Sequence, residues 1–269
     1  PTGPDTGWSW DVVWSMLAPR WDGILLGVMF DSAYEWILAC SKRLAQMSPR
    51  FVAVDICMPQ QGTLHRGRLE VGPVNMPMSR ESLELVDERI SGLSRAYDVT
   101  FIGALYPHRV EMLDQLRSMG VRVSVNPHRE DETKNFSESR TNQPSWLDYM
   151  AGLAQSHLTI NFSRSSAGPY EQYKTRVIEA ALVGCVPLTD DRERTRMFFS
   201  LDEFAFFDSP ADLPRIVSEL LADSHRLTLM QEATRLRSRD LAHTNFWQVI
   251  DAGLGDRGLQ QVYGLSLIH

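Results

Sequence analysis

Short apolar runs separated by amphipathic segments recur along this chain at the spacing of a parallel α/β protein. The runs predict buried strands at residues 24–30, 51–56, 99–103, 121–125, 158–162 and 186–189, with shorter strands at 68–71 and 204–207. Apolar residues at helical spacing predict helices at 31–47, 79–93, 107–119, 145–156, 173–183, 210–222, 225–242 and 245–252. Repetition of this kind predicts a doubly wound sheet that binds ligands outside the carboxyl ends of its strands.

Small and polar residues indicate where several helices begin and end. Ser145 is placed to cap the helix that follows it, and Gly120 and Gly184 stand directly after predicted helices as C-terminal glycines. The stretches 60–79 and 126–144 are rich in polar residues and predict loops. Long loops within a compact domain are often functional.

Four loops are predicted to leave the carboxyl ends of strands, beginning at Gly103, Asn126, Ser163 and Asp190. Gly103 suits a place where the backbone approaches a ligand or a neighbouring segment closely. Ser163 and Arg164 follow a strand directly, so that backbone N–H groups and a hydroxyl are available to a ligand there.

The segment from Glu171 to Glu179 carries the most informative chemistry. Its two carboxylates have seven residues between them, and Lys174 and Arg176 lie in that gap. If a helix begins near Tyr173, both cations fall in its first turn, where free N–H groups and the helix dipole favour an anion. Acids and bases crowded at a helix N-terminus indicate a site for a charged, hydroxyl-rich ligand such as a sugar nucleotide.

Residues 99–250 resemble the C-terminal, donor-binding domain of GT-B glycosyltransferases. The segments that carry the resemblance are 101–109 (FIGALYPHR), 161–165 (NFSRS) and 171–188, in which two glutamates precede an Ala-rich helix, a glycine and Val-Pro-Leu. The resemblance is closest to a bacterial group, the spore-maturation-type glycosyltransferase-like proteins.

The resemblance implies an α/β fold with two Rossmann-like domains of GT-B type, the N-terminal one short or truncated. We expect a partial acceptor-side domain at residues 1–97 and a nucleotide-sugar-binding domain at 98–253. Residues 254–269 are expected to be a tail. Its last six residues are expected to be non-native, and the chain to be a fragment.

The resemblance also implies roles for the charged residues. Glu179 would contact the ribose of the donor, and Glu171 would be the catalytic carboxylate on the sugar side. Lys174, Arg176 and Arg109 are the expected ligands of the diphosphate. Related proteins often carry an Arg and a Lys after the first strand of this domain, where this chain has His108 and Arg109.

Composition narrows the set of protein classes to which the chain can belong. A net charge of −7 argues against a broad nucleic-acid-binding surface, and no apolar run approaches the roughly 20 residues of a membrane span. Cys40, Cys57 and Cys185 each lie in an apolar run and are expected to be small buried hydrophobes in a reducing cytoplasm. Asp190 and Asp191 predict a helix N-cap rather than a metal site, because adjacent residues on an extended chain point apart.

Taken with the composition, the resemblance implies a cytoplasmic glycosyltransferase of the hexosyltransferase-like class that is retaining and metal-independent. It would need no cofactor beyond a nucleotide-diphosphate sugar as co-substrate, and its acceptor would be a glycan, lipid or protein. Two alternatives stay open: a non-catalytic module of the same fold that binds a nucleotide or a partner, and a sugar-nucleotide epimerase-like enzyme.

His128, on the long loop, is a further candidate site residue, which would face the nucleotide base.

Overall fold

A computed structural model describes residues 15–16, 20–30, 35–56, 69–127, 145–164, 171–255 and 258. Cys57, His128 and most of the loop at 126–144 lie outside these described residues, as do nearly all of the predicted tail and the start of the helix predicted at 31–47.

The described strands follow the predicted apolar runs closely. They are β1 (Leu25–Met29), β2 (Phe51–Asp55), β3 (Leu69–Val71), β4 (Tyr97–Phe101), β5 (Val123–Val125), β6 (Ser156–Asn161), β7 (Val186–Thr189) and β8 (Ala205–Phe206). All their pairings are parallel. The α/β fold class with parallel sheets is therefore confirmed.

The helices lie between these strands or follow the last of them. They are α1 (Glu35–Met47), α2 (Arg80–Ile90), α3 (Pro107–Ser118), α4 (Trp146–Ala154), α5 (Arg176–Leu182), α6 (Arg192–Thr195), α7 (Leu213–Ala222) and α8 (Ser224–Gly253), with a 3₁₀ turn at Pro210–Asp212. Ser145 caps α4 by accepting from the Asp148 N–H, as predicted. Gly120 and Gly184 follow α3 and α5 with positive φ values of 83° and 67°, which suits glycine at a helix end.

Two predicted helix boundaries were wrong. Helix α5 begins at Arg176 and not near Tyr173, so that Lys174 precedes the helix and Arg176 is its first residue. The two helices predicted at 225–242 and 245–252 form the single helix α8, because no glycine or proline interrupts the backbone between them.

The chain divides into two compact units, neither of which is one continuous stretch. The first unit comprises Pro1–Met76, Arg164–Tyr173 and Thr244–His269, and the second comprises Pro77–Ser163 and Lys174–His243. The domain boundaries expected after residues 97 and 253 stay predictions.

The first unit contains a three-stranded sheet in the order β1-β2-β3. Side chains of β2 alternate between two small cores, as successive residues of a strand must. Phe51 and Ala53 pack with Met29, whereas Val52 and Val54 belong to the cluster that includes Ile250 of α8.

The second unit contains a five-stranded sheet in the order β5-β4-β6-β7-β8. Its strands carry near-continuous apolar runs because a parallel sheet is covered on both faces. The core unites the strands with α3, α7 and α8 through Val99, Leu158, Leu113, Val217 and Met230.

The expectation of buried cysteines holds only in part. Cys185 is fully buried, and burial raises the pKa of its thiol to about 12. Cys40 is only partly buried, because α1 turns Ser41 and Ala45 rather than Cys40 toward the interior.

Candidate functional site

The order of strands in the second unit marks a place where a ligand is expected. The chain moves from β4 outward to β5 and then returns to the other side of β4 to form β6. Ligands of doubly wound sheets bind in the crevice outside the carboxyl ends of the strands at such a reversal. The loops that begin at Ile102 and Phe162 leave β4 and β6 at this point.

Gly103 adopts a conformation and a position that favour glycine. Its φ is 155°, and a Cβ atom there would lie 3.3 Å from the Phe101 ring and 3.5 Å from Nη2 of Arg176. The Gly103 N–H donates to Oδ1 of Asn126 (2.8 Å), and Nδ2 of Asn126 donates back to the Gly103 carbonyl (3.1 Å). This reciprocal pair ties the loop after β4 to the end of β5.

Aromatic rings and a backbone carbonyl hold Arg109 in place. Its guanidinium carbon lies 4.7 Å from the centre of the Tyr106 ring and 5.0 Å from that of Phe162, and Phe101 is also within cation–π range. Nη1 donates to the Ala104 carbonyl (3.1 Å). The rings restrict the rotamers of the side chain, so that its charge has a fixed position.

Arg176 brings a second positive charge to the same loop. Burial and the nearby Arg176 lower the pKa of Arg109, while Tyr106 and Asp190 act in the opposite direction. The Nε atoms of both arginines are buried and have no hydrogen-bond partner among the described residues. The two guanidinium groups repel each other, and Gly103 beside them has no side chain that would block a ligand. A phosphate bound there would stabilise both charges.

Glu179 lies one helical turn after Arg176. Its Oε2 atom accepts a hydrogen bond from the Tyr149 hydroxyl (3.0 Å), which joins α5 to α4. Burial raises the pKa of Glu179, whereas Tyr149, Arg176 and Trp146 lower it. A buried carboxylate is costly unless it has partners, and Tyr149 supplies one of them.

Ser163 is completely buried at the end of β6. Its N–H donates to Oδ1 of Asp190 (2.6 Å), so that this backbone donor is already used. The Ser163 hydroxyl has no partner within the part of the chain that the structure describes. The bond to Asp190 instead connects the loops after β6 and β7.

Arg164 and Glu171 belong to the first unit, unlike the other predicted site residues. They form an isolated antiparallel bridge, and Nε of Arg164 lies 3.9 Å from Oε1 of Glu171. The two side chains are 70% and 46% exposed, so this ion pair adds little stability. Lys174 lies in the second unit just ahead of α5, and its carbonyl accepts from the Val177 N–H (3.0 Å).

Asp191 acts as the N-cap of α6, as predicted: its side chain accepts from the Arg194 N–H (3.2 Å). No group of three or more His, Cys, Asp or Glu residues is arranged to hold a metal within the described ranges. A cavity of about 260 Å³ lies beside β8 and is lined by Phe204, Phe206 and Leu220, but it contains none of the predicted site residues.

The sequence gives little sign of two residues that build this site. It indicates Asn126 only as the start of a loop, although the positive φ of 45° and the pairing with Gly103 shape the loop after β4. It indicates Tyr149 only as part of a helix. An Asn after a strand is a usable signal for such a turn, whereas nothing in the local pattern of α4 indicates a partner for Glu179.

The comparisons with known proteins concern the family and the fold. A family profile described as glycosyl transferase-like matches residues 105–250. No protein of curated function matches the sequence. Within the described residues, no helix is both long and apolar enough to cross a bilayer.

Several solved structures are similar to this chain at low sequence identity. The chain is similar to Anabaena HepE in complex with UDP and glucose, with 12% identity, a TM-score of 0.54, and coverage of 90% of this chain and 74% of that one. A sucrose-phosphate synthase from Thermosynechococcus elongatus matches with 13% identity, a TM-score of 0.48, and coverage of 95% and 72%. An α1,3-fucosyltransferase matches with 15% identity, a TM-score of 0.44, and coverage of 64% and 47%, so the chain spans about half of that protein.

Proposed function

This chain belongs to the glycosyl transferase-like family, and we propose from that premise that it transfers a sugar from a nucleotide-diphosphate donor to an acceptor. The observation that carries the proposal is the pair of half-buried guanidinium groups, Arg109 and Arg176, beside Gly103 at the reversal of the sheet. Their buried Nε atoms have no partner in the described part of the chain, which suits an anionic ligand.

The donor occupies the carboxyl ends of β4 and β6 in this proposal. Arg109 and Arg176 bind the diphosphate, and Gly103 allows the phosphates to approach the backbone. Glu179 accepts hydrogen bonds from the ribose hydroxyls, for which an ionised carboxylate is suited. Lys174, just ahead of α5, adds positive charge on the phosphate side. These fixed cations take the part that a divalent metal would otherwise play in neutralising the diphosphate.

The chemistry explains why the cations matter most in the transition state. When the bond between the anomeric carbon and the diphosphate oxygen breaks, negative charge grows on the departing diphosphate and positive charge on the sugar. A preorganised donor to such a developing anion is worth about 3–4 kcal/mol of barrier. The aromatic rings around Arg109 supply this preorganisation.

Glu171, Arg164 and Ser163 have weaker support. The Glu171 carboxylate is exposed and only loosely paired with Arg164. We propose that it stabilises positive charge on the sugar in a retaining reaction, by analogy with the family rather than from geometry. Ser163 would act through its backbone N–H, which connects the loops after β6 and β7 by donating to Asp190, rather than by touching the donor.

The nucleotide is proposed to be UDP, and the sugar a hexose. The structure of HepE, which shares the fold with a TM-score of 0.54, is in complex with UDP and glucose. UDP-glucose is therefore the first donor to test.

The test is release of nucleoside diphosphate from UDP-glucose, GDP-mannose and ADP-glucose in the presence of glycan, lipid or peptide acceptors. Each reaction is measured with and without EDTA. We expect turnover with one donor, insensitivity to EDTA, and a product whose anomeric configuration by NMR matches the donor. Binding without release would instead support a non-catalytic module, and isomerised nucleotide sugar without an acceptor would support an epimerase.

A further inference from the structure

The carboxylate of Glu179 is held from one side by a different helix. The Tyr149 hydroxyl donates to Oε2 across 3.0 Å. Tyr149 lies in the first turn of α4, and Glu179 lies in the middle of α5. The bond therefore fixes the carboxylate relative to a second element and not only to its own helix.

The charged and polar groups around Glu179 come from two helices. Tyr149 and Trp146 face it from α4, and Arg176 faces it from one turn earlier on α5. All three oppose the rise in the pKa of Glu179 that burial causes. Burial and the same carboxylate raise the pKa of Tyr149 well above its usual value, although Arg176 lowers it, so the phenol keeps its proton and acts as a donor.

We propose that Tyr149 is a positioning residue, which fixes Oε2 of Glu179 so that Oε1 meets the ribose hydroxyls of the nucleotide. The inference rests on the proposed function. An ionised carboxylate offers about four acceptor sites. Tyr149 occupies one of them on Oε2, and the Trp146 side chain is a second donor, so that acceptor sites are left for a ligand. A fixed acceptor binds a diol better than a rotating one because less side-chain freedom is lost on binding.

A purely structural role for Tyr149 makes a different prediction. If its hydroxyl only satisfied a buried carboxylate, removing it would lower stability without altering how the protein distinguishes one nucleotide from another. The informative readout is therefore discrimination between a nucleotide that has ribose hydroxyls and one that lacks them.

The experiment is calorimetric titration of the full chain with UDP, GDP and ADP, each beside its 2′,3′-dideoxy analogue. In Tyr149→Phe, the nucleotide that binds best should bind about tenfold more weakly, while its dideoxy analogue binds as before. The preference for ribose then shrinks by the same factor. Tyr97→Phe, at the amino end of β4 in the same unit, is the matched control and should leave both affinities unchanged.

The pH profile gives a second readout. Without the Tyr149 hydrogen bond the pKa of Glu179 should rise further. As pH is lowered, the carboxylate of the variant is then protonated earlier, and ribose-dependent affinity is lost at a pH about one unit higher than in the wild type. In a Glu179→Gln background, Tyr149→Phe should have no additional effect on the ribose preference.

Three outcomes overturn the inference. Equal weakening of the ribose nucleotide and its dideoxy analogue in Tyr149→Phe, or an unmoved pH profile, would assign Tyr149 to folding alone while the proposed function stands. If the folded wild type binds none of the three nucleotides, the proposed function fails, and the role of Tyr149 fails with it.

Discussion

At the scale of single residues, the candidate site combines charges that are individually costly. Arg109 and Arg176 repel each other, and burial disfavours the ionised form of Glu179. Folded proteins retain such arrangements mainly where function requires them, because desolvated charges without full pairing lower stability. Each charge can be tested by a substitution that alters one property of it.

Arg109→Lys keeps the charge but loses the planar group that stacks on the aromatic rings and can grip a phosphate in bidentate fashion. We expect nucleoside diphosphate to bind at least about tenfold more weakly, in line with the loss of one charge-assisted hydrogen bond. Calorimetric titration measures this. The matched control is Arg117→Lys in the same helix, whose exposed ion pair with Asp114 should make that change silent. Equal affinities in all three proteins would exclude Arg109 from the site.

Glu179→Gln separates binding from stability. Burial raises the pKa of Glu179 in the folded state. At pH values between the pKa of the unfolded state and that of the folded state, the native protein binds more protons than the unfolded chain, so the free energy of unfolding falls as pH rises. Thermal unfolding at pH 8 should therefore show the Glu179→Gln variant to be no less stable than the wild type, whereas titration should show weaker nucleotide binding. A variant that loses stability at pH 8 but keeps full nucleotide affinity would contradict this role.

The residue types of the site were predictable, but their partners were not. Glu179 and Arg176 stand out in the sequence because charged residues in an apolar helix need a reason. The Tyr149 hydrogen bond and the aromatic contacts of Arg109 depend on how distant segments pack. A single sequence contains no direct record of those distances.

At the scale of secondary-structure elements, Arg95 holds together the ends of two helices. Its guanidinium donates to the carbonyls of Ser156 and, at 2.9 Å, of Gly184, with longer bonds to Ala154 and Val183. These carbonyls lie at or just beyond the C-termini of α4 and α5, where orphan acceptors and the helix dipole both favour a cation. The site helix α5 is thereby anchored at the end opposite to Arg176.

Arg95→Met should destabilise the protein by about 2–3 kcal/mol, because several partly buried carbonyls lose a charged donor. For a chain of this size that corresponds to a fall in Tm of roughly 5–10 °C. Differential scanning calorimetry measures it. Arg89→Met, which removes an exposed ion pair with Asp148, should cost less than about 1 kcal/mol. If the two variants have the same Tm, the carbonyl contacts of Arg95 contribute no more to stability than the exposed ion pair of Arg89.

Predicted element boundaries were wrong where the apolar pattern serves more than one core. Leu241 and Ala242 are buried in the second unit, whereas Phe246 and Ile250, a few residues later, are buried in the first. In the sequence the polar run at 243–245 separates these two apolar groups, which makes one helix resemble two. For α5, Tyr173 belongs to a separate buried contact, in which its hydroxyl donates to Oδ1 of Asn75 (2.9 Å).

At the scale of the whole molecule, the parallel α/β class could be predicted because alternating strands and helices leave a period in the sequence. Which stretches of the chain form each of the two units could not be predicted. Asn75, Tyr173 and Asn245 form a hydrogen-bonded group inside the first unit, although they come from three separate stretches of chain. Contacts between partners that stand 98 or 170 positions apart have no periodic signature.

The net charge of −7 also conceals a local feature of opposite sign. An acidic surface repels nucleotides at long range, whereas Arg109 and Arg176 lie partly buried, where solvent screens their charge less. In the function proposed above, these two arginines form the anion subsite of a nucleotide-sugar-binding site.

Calorimetric titration of UDP, GDP and ADP into the wild type and into Arg109→Met/Arg176→Met tests that assignment most directly. We predict saturable heat with at least one nucleotide for the wild type and an affinity at least about a hundredfold lower for the double variant, since each guanidinium contributes a charge-assisted contact. No heat from any nucleotide with folded wild-type protein, or equal affinity in the double variant, would contradict it.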